Sequence, residues 1–187
     1  MRRLSVFNQV SIDGYFRTTD GDISWVKSQR DDPEFRAYIS GNASGEGLLL
    51  FGRKTYEMMA SFWPTPEAAA AFPEVAKGMG KAAKVVFSKT LKEPGWSNTT
   101  VVSGDLVTEV HKMKEGPGAP MVILGSGSIV APLARAGLID EYQLLVFPVV
   151  LGAGVSMFAG VGKSIDLTLK STRPFKNGIT LLVYEPR

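Results

Sequence analysis

Two segments of this chain run from a short apolar stretch into a glycine turn and on into the start of a helix. The first is Gly47-Leu48-Leu49-Leu50-Phe51-Gly52-Arg53-Lys54-Thr55-Tyr56-Glu57. The second is Met121-Val122-Ile123-Leu124-Gly125-Ser126-Gly127-Ser128-Ile129-Val130. An apolar run without alternation is the mark of a strand buried on both faces of a sheet. Helices must then cover both faces, which confines the chain to an α/β architecture. At each turn the first helical amides are free and the helix dipole favours an anion. Two such turns point to a ligand with more than one phosphate, such as a dinucleotide.

The rest of the chain fits one domain over residues 1–187, with 44% apolar content to fill a core. Leu4–Val10 reads as a buried first strand, followed by a glycine-rich loop from Ser11 to about Gln29. Asp32 is a good N-cap with Pro33 behind it, so a helix is expected to about Ser40, ending at Gly41. Pro66–Gly80 is alanine-rich and helical in pattern, broken at Pro73. Ala83–Phe87 and Thr99–Ser103 are β-rich, and Asp105 caps a helix to Lys114. A further helix is expected from Ser128 to Ala136. Glu141–Pro148, Asp166–Thr172 and Thr180–Glu185 have no helical pattern between them, which implies an antiparallel finish. The sum is a mixed central sheet of about eight strands with helices on both faces.

Composition removes several classes of chemistry. The chain has no cysteine, which excludes disulfides, thiolate catalysis and cysteine-bound metal, and no metal is expected. Its one histidine, His111, lies in a polar helical run and reads as a surface residue. The net charge is only +3, so neither nucleic acid nor a membrane surface is an expected partner. No apolar run approaches the roughly 20 residues of a membrane span. The N-terminal Met1-Arg2-Arg3 is followed by Asn8, Gln9 and Asp13, unlike a signal peptide, and a cytoplasmic location is expected.

Gly125-Ser126-Gly127-Ser128 is the strongest single site, because its amides and two hydroxyls can wrap a pyrophosphate. It lacks the third glycine and the downstream acid of the Rossmann fingerprint. Gly160-Val161-Gly162-Lys163-Ser164 resembles the tail of a phosphate-binding P-loop, but Met157 stands at the first glycine position and a strand pattern follows. Arg53 and Lys54 put two cations at a helix start, which makes sense where an anion sits between them. Asp31, Asp32 and Glu34 are either helix-capping acids or, for one of them, a cleft carboxylate that binds a cationic ring or handles a proton. Trp25, Phe62 and Trp63 flank loops, where they either pack or stack on a substrate ring.

Taken in order, these segments resemble the dihydrofolate reductase-like family, and within it the branch of the C-terminal reductase domain of riboflavin biosynthesis proteins. Val10-Ser11-Ile12-Asp13-Gly14-Tyr15 is similar to the stretch leading into the loop over the nicotinamide. Trp25 and the acids Asp31–Glu34 stand where the reductases keep a tryptophan and a pterin-binding acid. Phe51-Gly52-Arg53-Lys54-Thr55-Tyr56-Glu57 is similar to the family's Gly-Arg-x-Thr-Trp-Glu motif, which holds cofactor phosphates. Phe87-Ser88-Lys89-Thr90 matches a strand end that contacts the 2′-phosphate, and Leu124–Ile129 the pyrophosphate loop. Leu138–Tyr142 and the run from Pro148 through Gly152-Ala153-Gly154 to Phe158 are typical of the riboflavin-type branch.

The resemblance implies an NADPH-dependent reductase of a small heterocyclic, pterin- or pyrimidine-like substrate, working as a homodimer. Arg53, Lys54, Thr55, Ser88, Lys89 and Thr90 would hold phosphates, with Gly52 and Gly125–Ile129 shaping the pyrophosphate site. Val10, Ile12, Asp13 and Gly14 would line the nicotinamide end. Asp32, with Asp31 and Glu34 beside it, would orient the substrate or deliver a proton, and Trp25, Phe62 and Trp63 would meet its ring. Hydride chemistry suits a chain without thiol or triad, since the nicotinamide carries the reactive hydrogen. Two alternatives stay open: a nucleotide-binding protein of this fold without turnover, and a flavin-binding module.

Overall fold

The computed structural model describes residues 1–27 and 32–187. Its strands are β1 (Leu4–Ser11), β2 (Tyr15–Arg17), β3 (Leu48–Gly52), β4 (Ala83–Phe87), β5 (Thr99–Val102), β6 (Met121–Leu124), β7 (Glu141–Phe147), β8 (Val155–Ser156), β9 (Leu167–Pro174) and β10 (Thr180–Pro186). The helices are α1 (Pro33–Asn42), α2 (Arg53–Phe62), α3 (Pro66–Ala71), α4 (Pro73–Lys81), α5 (Leu106–Glu115) and α6 (Gly127–Arg135).

Eight strands form one sheet in the order β5-β4-β3-β6-β1-β7-β10-β9. From β5 to β7 all neighbours run parallel, and β7–β10 and β10–β9 run antiparallel. This is the mixed sheet expected from the sequence. Strand periodicity separates two cores. Leu4, Val6, Leu50, Ile123 and Tyr142 point to one face, where α5 and α6 bring Val110, Ile129, Val130 and Leu133. Leu49, Phe51 and Val86 point to the other, under Tyr56 of α2 and Val75 and Met79 of α4. Farther along that second face, Phe35 of α1 packs on Leu145, Phe147, Phe175 and Leu181.

Local chemistry sets the element ends. Asp32 caps α1, accepting from the backbone N–H groups of Glu34 and Phe35, and Asp105 caps α5 through the N–H of Thr108. The helix α1 runs through Gly41 to Asn42, two residues past the expected stop. Pro73 divides α3 from α4 as expected, since each of the two proline-led segments begins its own helix. The glycine-rich stretch after β1 holds two pieces the sequence hides, the strand β2 and a single 3₁₀ turn at Ser24–Lys27. β2 pairs with β8 in a small separate ribbon. Strands of two or three residues are too short for a periodic signal. No helix among the described residues is long and apolar enough to cross a membrane.

Candidate functional site

β3 and β6 are neighbours, yet the helices that follow them diverge. α2 covers one face of the sheet and α6 the other. This is a topological switch point, the place where open α/β sheets bind ligands beyond the carboxyl ends of their strands. A cleft of about 1010 Å³ opens there and continues across the second face, between α1 and α4. That volume lies at the top of the roughly 300–1,000 Å³ usual for ligand sites.

The two glycine turns meet at this point. Ser126 Oγ accepts from the N–H of Gly52 at 2.9 Å and donates to Thr55 Oγ1 at 2.7 Å. Ser126 itself is left-handed, with φ 58°, and Gly125 before it has φ +64°. A Cβ on Gly52 would lie 2.7 Å from Ser128 Oγ and 2.9 Å from Ser126 Oγ, so only glycine lets the two turns approach this closely. Neither α2 nor α6 has a side-chain cap, in contrast to α1, α3 and α5. Two adjacent helix starts thus offer free amides to one space. Arg53, Lys54, Ser88, Lys89 and Thr90 border that space, together with Gly125, Gly127 and Ser128. Arg53 also pairs with Glu57 one turn on, at 3.2 Å. Ser88 Oγ accepts from the N–H groups of Thr90 and Leu91, which fixes the turn that presents Lys89.

The β2–β8 ribbon lies over the start of α6, with Phe16 and the Met157 carbonyl each 3.5 Å from where a Cβ on Gly127 would sit. Asn8 Nδ2 donates to Met157 Sδ at 2.8 Å and ties this segment to β1. The floor of the cleft is Ser5, Phe7 and Gln9 of β1, Leu49 of β3, Val122 and Leu124 of β6, and Gln143 of β7. Met58, Met59 and Trp63 of α2 form part of its wall. Its far end is closed where α1 meets α4. A Cβ on Gly78 would lie 1.6 Å from the Ala43 carbonyl oxygen, so the two backbones touch.

The structure brings twelve of the expected residues to the cleft: Arg53, Lys54, Thr55, Ser88, Lys89, Thr90, Leu124, Gly125, Ser126, Gly127, Ser128 and Trp63. Others have different work. Asp32 is 2% exposed, and its carboxylate accepts from Glu34, Phe35 and, at 3.2 Å, from the N–H of Asn177 in the β9–β10 turn. It fastens α1 to that hairpin and does not border the cleft, which corrects its expected place beside a substrate. Glu34 points away as well, paired with Arg173 at 2.7 Å. Asp31 lies outside the described residues. Asp13 accepts from the N–H groups of Leu151 and Gly152, so it ties loops together, and Gly14 makes the turn behind it. Val10 is buried, Ile12 is exposed and Ile129 belongs to the core. Gly52 acts through its close approach to Ser126 and Ser128. Trp25 stacks edge-on against Phe147, and Phe62 against Trp63 and Phe72. His111 is on the surface of α5 beside Glu115.

The sequence reading missed Gln9 and Gln143. Gln9 follows Asn8 in β1 and Gln143 stands two residues from Glu141 in β7, so a polar residue on an inner strand is the signal that marks them.

Comparison with known proteins agrees with this architecture. Two proteins of Bacillus subtilis align along nearly the full length. Uncharacterized protein YyaP is 28% identical over 183 residues, 98% of this chain and 94% of its own. Uncharacterized protein YwjB is 25% identical over 180 residues, 96% of each. Among solved structures, a putative riboflavin biosynthesis protein from Shewanella superposes with TM-score 0.73 at 23% identity, covering 100% of this chain and 99% of its own. A pyrimidine reductase-like protein from Corynebacterium diphtheriae gives 0.63 at 12%, covering 100% and 92%. Dihydrofolate reductase from Enterococcus faecalis, complexed with NADP(H) and RAB-propyl, gives 0.63 at 14%, covering 99% and 96%. These likenesses establish the dihydrofolate reductase-like fold. The RibD C-terminal domain model matches residues 2–181, and the chain belongs to that family.

Proposed function

We propose that the protein is an NADPH-dependent reductase of a small heterocyclic, pyrimidine- or pterin-like molecule. The observation that carries this reading is the junction of two uncapped helix starts at Gly52, Thr55 and Ser126 under a basic rim. The residues present fit a dinucleotide phosphate chain. Free amides of α6 and the hydroxyls of Ser126 and Ser128 suit the pyrophosphate. Arg53, Lys54 and Lys89, with Ser88 and Thr90, suit the additional phosphate on the adenosine ribose. The family relationship and the NADP(H)-bound neighbour support the same assignment.

When bound, NADPH supplies a hydride to a ring carbon while a proton is taken up at the neighbouring atom, leaving NADP+. The chain's own part is positioning. The floor at Phe7 and Gln9 lies next to the glycine turn, so a ring resting there would sit beside the cofactor's reactive end. Met58, Met59 and Trp63 of α2 give the cleft an apolar wall. A homodimer and a cytoplasmic location belong to the same proposal, and equilibrium sedimentation tests the first.

Steady acceptor-dependent loss of NADPH absorbance with pterin, pyrimidine or quinone-type acceptors is the expected activity. NADPH binding without turnover on any acceptor would instead make the protein a nucleotide-binding member of the fold. A yellow protein carrying flavin on purification would favour the flavin module.

A further inference from the structure

A second, smaller cavity of about 340 Å³ lies on the side of β7 opposite the cleft. Gln143 faces the cleft and its neighbour Tyr142 faces this cavity, as alternation along a strand requires. The other walls are Leu167 of β9 and, from the segment between β8 and β9, Phe158, Val161, Lys163 and Ile165. The volume falls at the lower end of the roughly 300–1,000 Å³ usual for ligand sites. The run Gly160-Val161-Gly162-Lys163-Ser164, which resembles a P-loop tail in sequence, forms the rim of this cavity. The strand β9 follows it rather than a helix, so it offers no helix-start amides. Gly160 and Gly162, with φ +87° and +76°, turn the chain so that Val161 is buried and Lys163 is exposed.

Two polar groups of this cavity have no partner in the protein. Tyr142 is 1% exposed, and among the described residues its hydroxyl has no hydrogen-bond partner, although water reaches it. Burial pushes the phenol up to about 12, so it stays an O–H donor throughout the physiological range. A buried hydroxyl left without an acceptor is costly, and a bound acceptor offsets that cost. Lys163 makes no ion pair among the described residues, and no carboxylate among them lines the cavity. The remaining surface is apolar, and Phe158, whose ring lies 5.8 Å from that of Tyr142, is still 37% exposed.

We propose that this cavity is a second binding site, for a small carboxylate with an apolar body, such as an aromatic acid. The Tyr142 hydroxyl donates to the carboxylate, Lys163 supplies the opposite charge, and the ring packs among Phe158, Val161, Ile165 and Leu167. The site is separate from the cleft and goes beyond the reductase reading, yet the two share a wall. Phe158 and Val161 face the cavity, while Val155, Ser156 and Ala159 of the same segment line the cleft. The segment is one hydrogen-bonded turn, with the Ala159 N–H on the Ser156 carbonyl at 3.3 Å and the Val161 N–H on the Phe158 carbonyl at 3.1 Å. The carbonyls of Ser156 and Met157 lie 3.6 and 3.5 Å from where a Cβ on Gly127 would sit, at the start of α6. A ligand seated on Phe158 and Val161 therefore acts on the group that overlies the phosphate turn, and the two sites are coupled in both directions.

Calorimetric titration of the full chain with 2-naphthoate, neutral 2-naphthylmethanol and cationic 2-naphthylmethylamine tests the site. Naphthoate is expected to bind at least about tenfold more tightly than either of the others, a difference of about 1.4 kcal/mol. Tyr142→Phe keeps the ring and removes the hydroxyl, and is expected to weaken naphthoate about tenfold. Lys163→Glu changes an exposed side chain and is expected to reverse the preference toward 2-naphthylmethylamine, a gain that a merely structural role does not give. Lys163→Arg is expected to keep the preference for naphthoate. Saturating naphthoate is expected to change NADPH affinity about fivefold or more, and NADPH to change naphthoate affinity by the same factor. No binding by any probe, equal binding of all three, or naphthoate binding unchanged in both Tyr142→Phe and Lys163→Glu overturns the site. A lower sedimenting mass of Lys163→Glu in the absence of any probe binding gives the cavity to a second copy of the chain instead. NADPH affinity that ignores bound naphthoate overturns the coupling alone. Failure of NADPH itself to bind counts against the reductase reading and the coupling together, while the naphthoate titrations decide the site by themselves.

Discussion

Ser126 Oγ donates to Thr55 Oγ1 at 2.7 Å, and through this bond the starts of α2 and α6 become one unit. The two residues are 71 positions apart in sequence. They meet because β3 and β6 are parallel neighbours whose ends lie level, so both following turns open on the same side. The N–H of Gly52, bound to the same oxygen, completes the junction.

Replacing Ser126 with alanine removes the acceptor of the buried Gly52 amide. A buried donor left without a partner costs about 1–3 kcal/mol. Ser126→Ala is therefore expected to lower stability by that order in urea unfolding and to weaken NADPH as well. An unchanged affinity would separate the junction from the cofactor site.

Asp32 is expected to matter for stability and little for chemistry. Burial works to raise the pKa of its carboxyl, but the N–H groups of Phe35, Asn177, Glu34 and Lys176 together hold it below 3.8. A depressed carboxylate pKa contributes stability that is present above the unfolded value and is lost as pH falls through the folded one. Asp32→Asn should thus melt earlier than the wild type at neutral pH, and the gap should close below about pH 4. Its turnover with bound substrate should match the wild type, and a large loss of kcat would return this residue to the chemistry.

Lys84 is 1% exposed in β4, with its ammonium 4.4 Å from the centre of the Trp96 ring. It donates to the carbonyls of Gly80, Ala82 and Ser97 and so caps the end of α4. Burial lowers its pKa from 10.5 to about 8. Between those values the unfolded chain binds more protons than the folded one, so stability rises with pH across that window. Lys84→Met lacks this term. Its stability relative to the wild type should therefore fall as the buffer is taken from pH 8 toward 10.5. Urea midpoints at several pH values measure this, and parallel curves would show that Lys84 does not titrate there.

The parts of the site that are legible in the sequence are those built from backbone. Gly52 and Gly125 stand out because a turn after an apolar run needs them, and Asp32 and Asp105 are readable as caps from their spacing to the helices. The misplaced residues depend on tertiary contacts. Nothing local distinguishes a capping Asp32 from a cleft Asp32, because the deciding partner, Asn177, is 145 positions away. Asp13 likewise looks like a loop acid until Leu151 and Gly152 fold back onto it. Gln9 and Gln143 come to one face of the sheet only through the β1–β7 register, which sets them against Leu145 and Phe7 and which no single segment contains.

The most direct measurement is a titration of the purified protein with NADPH and with NADH, followed by tryptophan quenching and energy transfer to the nicotinamide. Trp63 borders the cleft and gives the signal a nearby donor. NADPH should bind at least about tenfold more tightly than NADH, since hydrogen bonds to charged groups contribute about 1.5–3 kcal/mol each. Arg53→Ala and Lys89→Ala should remove most of that difference while leaving NADH affinity nearly unchanged. Absence of binding by either nucleotide, or equal loss of both in the two variants, would contradict the assignment of the joined helix starts and their basic rim as an NADPH site.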